Sequence, residues 1–298
     1  MSLSLSTNMS ILFTDHVHEF RRLRAEFWNT PGVHEELKAY EACDNDHEYK
    51  ILKGLVPKPL VGRVTNDFGP AWQKSDTFFT DFPTHNVPQR VLSSTEHSHI
   101  ICNVACHDTR LYSSDVDPSS SDKTAAAGMS YMHLLVIPSS KVYNAVSHLN
   151  PDLITEMKTH FWDFWVRDDS INKINRAIHD AMERRYAEVA DAYQRNDNST
   201  APRRLAHLDA VMEECRISAV NFANTLRATR NSVDVVYGFH SHPHHSVGHL
   251  HMHVLLADPL FRTNSTLAHD RKTLSFEAVE HVLGAEEAES KSYGIRHC

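Results

Sequence analysis

A chain of 298 residues can bury a full hydrophobic core, and its length allows one domain or two. Its net charge of −8 argues against a nucleic-acid partner held by bulk electrostatics, and no apolar run approaches the roughly 20 residues that span a bilayer. Nine glycines with no GxGxxG or GxxxxGKS/T pattern exclude a glycine-rich phosphate cradle, so any phosphate chemistry here rests on side chains.

Residues 1–84 read as an extension packed on the main domain, with a separate substrate-gating domain as the alternative. Ile11, Leu12, Val17, Phe20, Leu23 and Phe27 recur at helical spacing, which predicts a helix over Ile11–Trp28 ended by Thr30-Pro31-Gly32. A weaker helix is expected over Glu35–Ala42. Five prolines between Val56 and Pro88 favour loops and short strands there. The start MSLSLSTNMSILF has neither a basic n-region nor a sustained apolar h-region, so no signal peptide is expected.

The main domain is read over 85–298. Arg90-Val91-Leu92 and the apolar run His99–Cys106 predict two strands joined by a polar turn, the second ending in His107-Asp108. Ser113–Gly128 has the composition of a surface loop. A further strand is predicted over Tyr131–Pro138. Asn150-Pro151-Asp152 is a helix start, with an N-cap, proline at the first turn and an acid at the positive end of the dipole. Leu153, Met157, Phe161, Phe164 and Trp165 carry that helix to about Val166. Trp162 and Trp165 are read as core, with a nucleobase clamp as the alternative. A second helix runs from Asp169 or Ser170 to about Arg195, and a third from about Arg203 to Arg230. The second is read as an insertion over about 167–203 that serves dimerisation or covers the core. Asp234–Tyr237 is a strand, and Ser275–Leu283 a short terminal helix.

Histidine is abundant at 23 residues, and seven of these lie between His240 and His253. Gly248-His249-Leu250-His251-Met252-His253-Val254-Leu255-Leu256 alternates histidine with apolar residues. On a strand, His249, His251 and His253 share one face, about 7 Å apart, while Leu250, Met252 and Val254 fill the core. A helix would fan them at roughly 200° steps and build no site. Three such histidines suit a bound phosphate. They also suit a Zn²⁺ ion with a water. The five cysteines (Cys43, Cys102, Cys106, Cys215, Cys298) have no CxxC spacing and read as reduced thiols of an intracellular protein. The Asn198 and Asn264 sequons then read as chance matches.

The alternation His-φ-His-φ-His-φ-φ, with φ apolar, resembles the motif of the histidine triad family of nucleotide hydrolases and transferases. The preceding run from Gly238 to Gly248 is similar to the branch that contains the third histidine triad nucleotide-binding protein and aprataxin. Two more matches lie elsewhere: the strand ending in His107-Asp108 with the later His133-Leu134-Leu135-Val136-Ile137-Pro138, and the Phe261–Thr266 tail. The resemblance covers roughly residues 90–284.

It implies an α+β histidine triad (HIT-like) fold, an antiparallel sheet with packed helices, here with a helical N-terminal extension and a helical insertion. It further implies a hydrolase of nucleoside phosphoramidates of the AMP type, acting through a covalent nucleotidyl-histidine on His251. His249 and His253 would contact phosphate oxygens or position the nucleophile. Ser246 would meet the phosphate or the leaving group. Asp108 would accept hydrogen bonds from ribose hydroxyls, with His107, His133 and His240 at the substrate's edge. From the residues alone, His107 reads as structural, His133 as either a framework histidine or a ligand, and His240, His242, His244 and His245 as solvated loop positions ahead of catalytic ones. Where the common branch has an asparagine before the loop, this chain has Gly238. Its replacement would be His240 or His242.

The resemblance implies a purine nucleotide substrate, a homodimer, and neither cofactor nor resident metal. A cytoplasmic location is expected, with the nucleus as the alternative. Hydrolysis of dinucleotide polyphosphates or cap remnants, or a non-enzymatic metal- or nucleotide-binding module, are the competing readings. Aprataxin-like DNA deadenylation is disfavoured, because no CxxC finger follows the triad and the chain is acidic.

Overall fold

The computed structural model describes residues 3–29, 31, 38, 42, 91–103, 109–113, 115–116, 132–140, 142, 150–195, 200–241, 249–258 and 272–294, with side chains from residue 13 in the first helix and to residue 292 in the last. Of the helix expected at Glu35–Ala42 only Lys38 and Ala42 are described, both helical, and the loops and strands expected at 56–88 lie outside the described residues.

The described residues form six strands: β1 (Val91–Ser94), β2 (Ser98–Cys102), β3 (His133–Pro138), β4 (Val235–His240), β5 (Met252–Leu256) and β6 (Thr273–Ser275). They form one sheet in the order β1-β2-β3-β5-β4-β6, with every neighbouring pair antiparallel. Five helices accompany it among the described residues: α1 (Leu3–Asn29), α2 (Pro151–Trp165), α3 (Ser170–Arg195), α4 (Ala201–Thr229) and α5 (Phe276–Gly294). The chain is therefore mixed α+β, with an open antiparallel sheet.

The helices share a core with one face of the sheet. Ile100, Cys102, Leu134, Val136, Tyr237, Phe239, Met252, Val254 and Leu256 join side chains from all five helices in a single buried cluster. Each large side chain removed from water there contributes about 1.5–3 kcal/mol. On the opposite face Ile101, Leu135 and Ile137 make a small separate cluster, beside the histidines described below.

α2 starts as its sequence requires. The Asn150 side chain accepts the Asp152 N–H at 2.8 Å, and Pro151 occupies the first turn, where no amide is needed. Trp165 is buried, but Trp162 is 40% exposed, edge-on to Phe161 and Tyr237 on the helix-bearing side of the sheet. The expectation that both tryptophans are core thus fails at Trp162, which sits one position off the apolar stripe. His160, also on α2, is buried and bonds Ser98 Oγ (2.7 Å) and Ser93 Oγ (3.0 Å), which fastens the β1–β2 hairpin to the helix.

α3 and α4 pack along each other, joined by Arg216–Glu183 and by Tyr186–Asp209 at 2.5 Å. Ile171, Ile174, Ile178 and Met182 of α3 are buried in the main core together with Leu208, Met212 and Phe222 of α4.

α1 begins eight residues before its apolar stripe does, at Leu3 instead of Ile11. Val17, Phe20, Leu23 and Phe27 are buried in the main core, and the partner helix is α5. Arg24 pairs with Glu286, the Phe13 ring meets His281 edge-on, and the Ser275 N–H donates to His16 Nδ1 at 3.3 Å. α5 itself runs eleven residues past the expected end at Leu283. Gly284 is no stop here, because the glutamate-rich continuation favours helix and carries a Glu287–Lys291 pair one turn apart.

Phe27→Ala is expected to destabilise the protein by about 3–5 kcal/mol, since it empties a fully buried position. Arg22→Ala removes only exposed pairs to Glu19 and Glu26 and is expected to cost under about 1 kcal/mol. Urea unfolding midpoints compare the two.

Candidate active site

The antiparallel register places histidines from three strands on one face. Side chains paired across antiparallel strands share a face, and diagonal neighbours lie within reach of each other's rings. His253 pairs with Leu135 on β3 and with Gly238 on β4. His133 and His240, each two residues along, are therefore its diagonal neighbours. The ring centroids agree: 5.2 Å from His253 to His133, 4.2 Å to His240 and 4.9 Å to His251.

The segment before β5 departs from the regular strand expected there. Of the three triad histidines only His253 lies within β5; His249 sits in an isolated bridge and His251 in extended chain between them. The expected spacing of about 7 Å shrinks to 4.9 Å between the His251 and His253 rings. Leu250 and Met252 are nonetheless fully buried, as the alternation requires. His249 turns its Nε2–H to the carbonyl of Pro138 at 3.1 Å, which ties the segment to the end of β3.

His251 donates its Nδ1–H to the backbone carbonyl of His249 at 2.9 Å. A carbonyl only accepts, so the proton is on Nδ1 and the lone pair is on Nε2. Burial lowers the His251 pKa to about 4, against a smaller upward pull from the same carbonyl. The ring is neutral at physiological pH.

His253 Nδ1 lies 2.9 Å from His133 Nε2, and the Asn103 amide nitrogen lies 3.3 Å from that same Nε2. One of the two ring nitrogens donates to the other, which leaves His253 Nε2 on the far side of its ring. That Nε2 is buried and has no hydrogen-bond partner among the described residues. Burial holds His253 well below the usual histidine range, reinforced by His240, His251, His133 and Lys272.

β6 closes the other flank. His240 Nε2 is 3.0 Å from Thr273 Oγ1, the residue it faces across the β4–β6 pair. Gly238 explains itself here. A Cβ at 238 would collide with Thr273 Cγ2 and approach the Leu274 carbonyl to 3.0 Å. Of the two residues suggested to replace an asparagine there, His240 stands in the cluster while His242 lies outside the described residues.

The structure thus gathers His133, His240, His251 and His253, with His249 bonded at the end of β3. The solvated-loop reading of His240 does not hold, because the residue ends β4 and its ring packs on His253. Asp108, His107 and Ser246 lie outside the described residues, as do His242, His244 and His245. Sequence reading missed Asn103 and Thr273. Neither belongs to a spaced motif, and both enter the site only through strand pairing. Among the described residues no group of three or more His, Cys, Asp or Glu side chains is arranged to hold a metal ion.

The chain matches no protein-family profile, no curated protein and no solved structure.

Because the His251 ring is buried neutral, it stabilises the fold at neutral pH and opposes it in acid. The unfolded chain takes up the proton near pH 6.5 and the folded chain only near 4. As pH falls through this window stability should drop, by about 3 kcal/mol from this group. Unfolding of wild type and His251→Ala between pH 7 and 4 measures that difference, which the variant should lack.

Proposed function

We propose that this protein is a histidine triad hydrolase that cleaves nucleoside phosphoramidates of the AMP type, with His251 as the nucleophile. The observation that carries the reading is the bond from His251 Nδ1–H to the His249 carbonyl, which leaves a neutral ring with its lone pair on Nε2. An activated nucleophile needs its partner nitrogen held by an acceptor and its own nitrogen unprotonated at working pH. His251 meets both conditions.

In this reaction the Nε2–P bond forms as the P–N bond to the amine breaks, and the amine leaves with a proton from solvent. Water then attacks the phosphorus, loses its proton to solvent and releases the nucleotide and the neutral ring. Ring orientation by the carbonyl supplies positioning before reaction, for which well-oriented groups contribute up to roughly 7–11 kcal/mol. By the resemblance, Asp108 accepts from the ribose and Ser246 meets the phosphate. The α+β antiparallel sheet is compatible with a histidine triad architecture. No helix among the described residues is long and apolar enough to cross a membrane. A purine nucleotide substrate, a homodimer and a cytoplasmic location belong to the same proposal.

Turnover of an adenosine 5′-phosphoramidate with a fluorogenic amine is the direct test. His251→Ala should lower kcat/KM by at least about 10³-fold, as loss of a nucleophile does. Intact-mass analysis should find an AMP adduct on wild type and none on the variant. Absence of turnover and adduct in wild type would refute the reading, and faster turnover of diadenosine polyphosphate or cap analogues would move it to those substrates.

The acid limb of the kcat/KM profile should lie near pH 4, not near 6.5, because His251 keeps its lone pair until then. A limb at 6.5 would place the essential base elsewhere.

A further inference from the structure

We infer that Thr273 is a positioning residue for the histidine cluster, acting through His240 on His253. The inference rests on the hydrolase reading for its catalytic consequence, and on geometry alone for the positioning itself.

Two contacts of Thr273 bear on the cluster, one from each branch of its Cβ. Its methyl lies over Gly238, where a side chain would collide with it. Its hydroxyl lies 3.0 Å from His240 Nε2. A β-branched residue has few allowed χ1 settings, so seating the methyl on Gly238 fixes the direction of the hydroxyl. The register agrees: Thr273 pairs with His240, and Gly238, paired with Ser275, is its diagonal neighbour. The missing side chain at 238 is thus the condition for the hydroxyl's position.

His240 transmits the constraint. Its ring stacks on His253 at 4.2 Å with a 40° tilt, and His253 stands 4.9 Å from His251. Across from His240, His253 is fixed by the His133 bond, so the ring is held from both sides. Without the hydroxyl, His240 loses a bond that holds its ring plane. The stacking of His240 on His253 would then loosen on that side.

The test compares full-length wild type with Thr273→Val, which keeps the shape and the methyl, and Thr273→Ser, which keeps the hydroxyl. Imidazole ¹H–¹³C resonances, assigned by a His240→Gln control, report the ring motion of His240 through their relaxation without substrate. Wild type should give a rigid ring, Val a more mobile one, and Ser a return toward wild type. On the phosphoramidate, Val should lower kcat by about 10-fold with KM within about 2-fold, below the roughly 10²-fold that a 1 Å misplacement costs. Ser should recover most of this loss. Gly238→Ala, which pushes the methyl away, should reproduce the more mobile ring.

Identical His240 ring motion in wild type and Val would overturn the inference, as would a Val kcat equal to wild type in an active protein. If wild type turns nothing over while Val still loosens the ring, the positioning stands and the hydrolase reading alone falls.

Discussion

Register between β5 and its two neighbours is the constraint on which the site depends. His253 faces Leu135 on one side and Gly238 on the other, so every histidine of the cluster is placed by counting from those two pairs. A slip of one residue would turn the whole set over, sending His253 into the helix-covered core and Val254 to the site. The apolar residues that alternate with the histidines prevent this. Leu250, Met252 and Val254 are fully buried, and the energy of keeping them so fixes the histidines indirectly. Hydrophobic burial on one face thereby sets polar geometry on the other.

Burial disfavours charge on His251 and His253, and the His240, His251 and His133 rings each add to the cost of protonating His253. Polar atoms in such a place need partners, and backbone supplies two of them: the Pro138 carbonyl for His249 and the His249 carbonyl for His251. These acceptors cannot ionise. They therefore fix ring orientation and tautomer without adding a charge that would draw the cluster toward its protonated form.

The sequence made the triad, the helix start at Asn150 and most strand positions legible, because each follows from a local period or cap. The alternation from His249 to Leu256 fixed which residues face the core even though regular pairing begins only at Met252. What stayed hidden depends on pairing between distant segments. β6 is three residues long, too short for any periodicity, and exists because β4 offers an edge. Asn103 and Thr273 enter the site through their partners across the sheet. Gly238 looked like a lost side chain in the sequence, and only the close approach of Thr273 gives it a reason. α5 outruns the expected end at Leu283 for a local reason, since the helix formers after Gly284 outweigh one glycine.

The docking of α1 on α5 has a consequence for the order of assembly. Arg24 and Glu286 are 262 positions apart, so α1 finds this partner only after the long stretch between them has been synthesised. Contacts so distant along the chain carry a loop-closure cost before they are rewarded, which slows folding. Until then the stripe of Val17, Phe20, Leu23 and Phe27 has nothing of its own to bury against on α5. During synthesis this stripe is an exposed apolar face, the kind of surface that holding chaperones bind and that aggregation starts from. The edge strand β6, which carries Thr273 and receives His16 at Ser275, is therefore completed among the last parts of the fold.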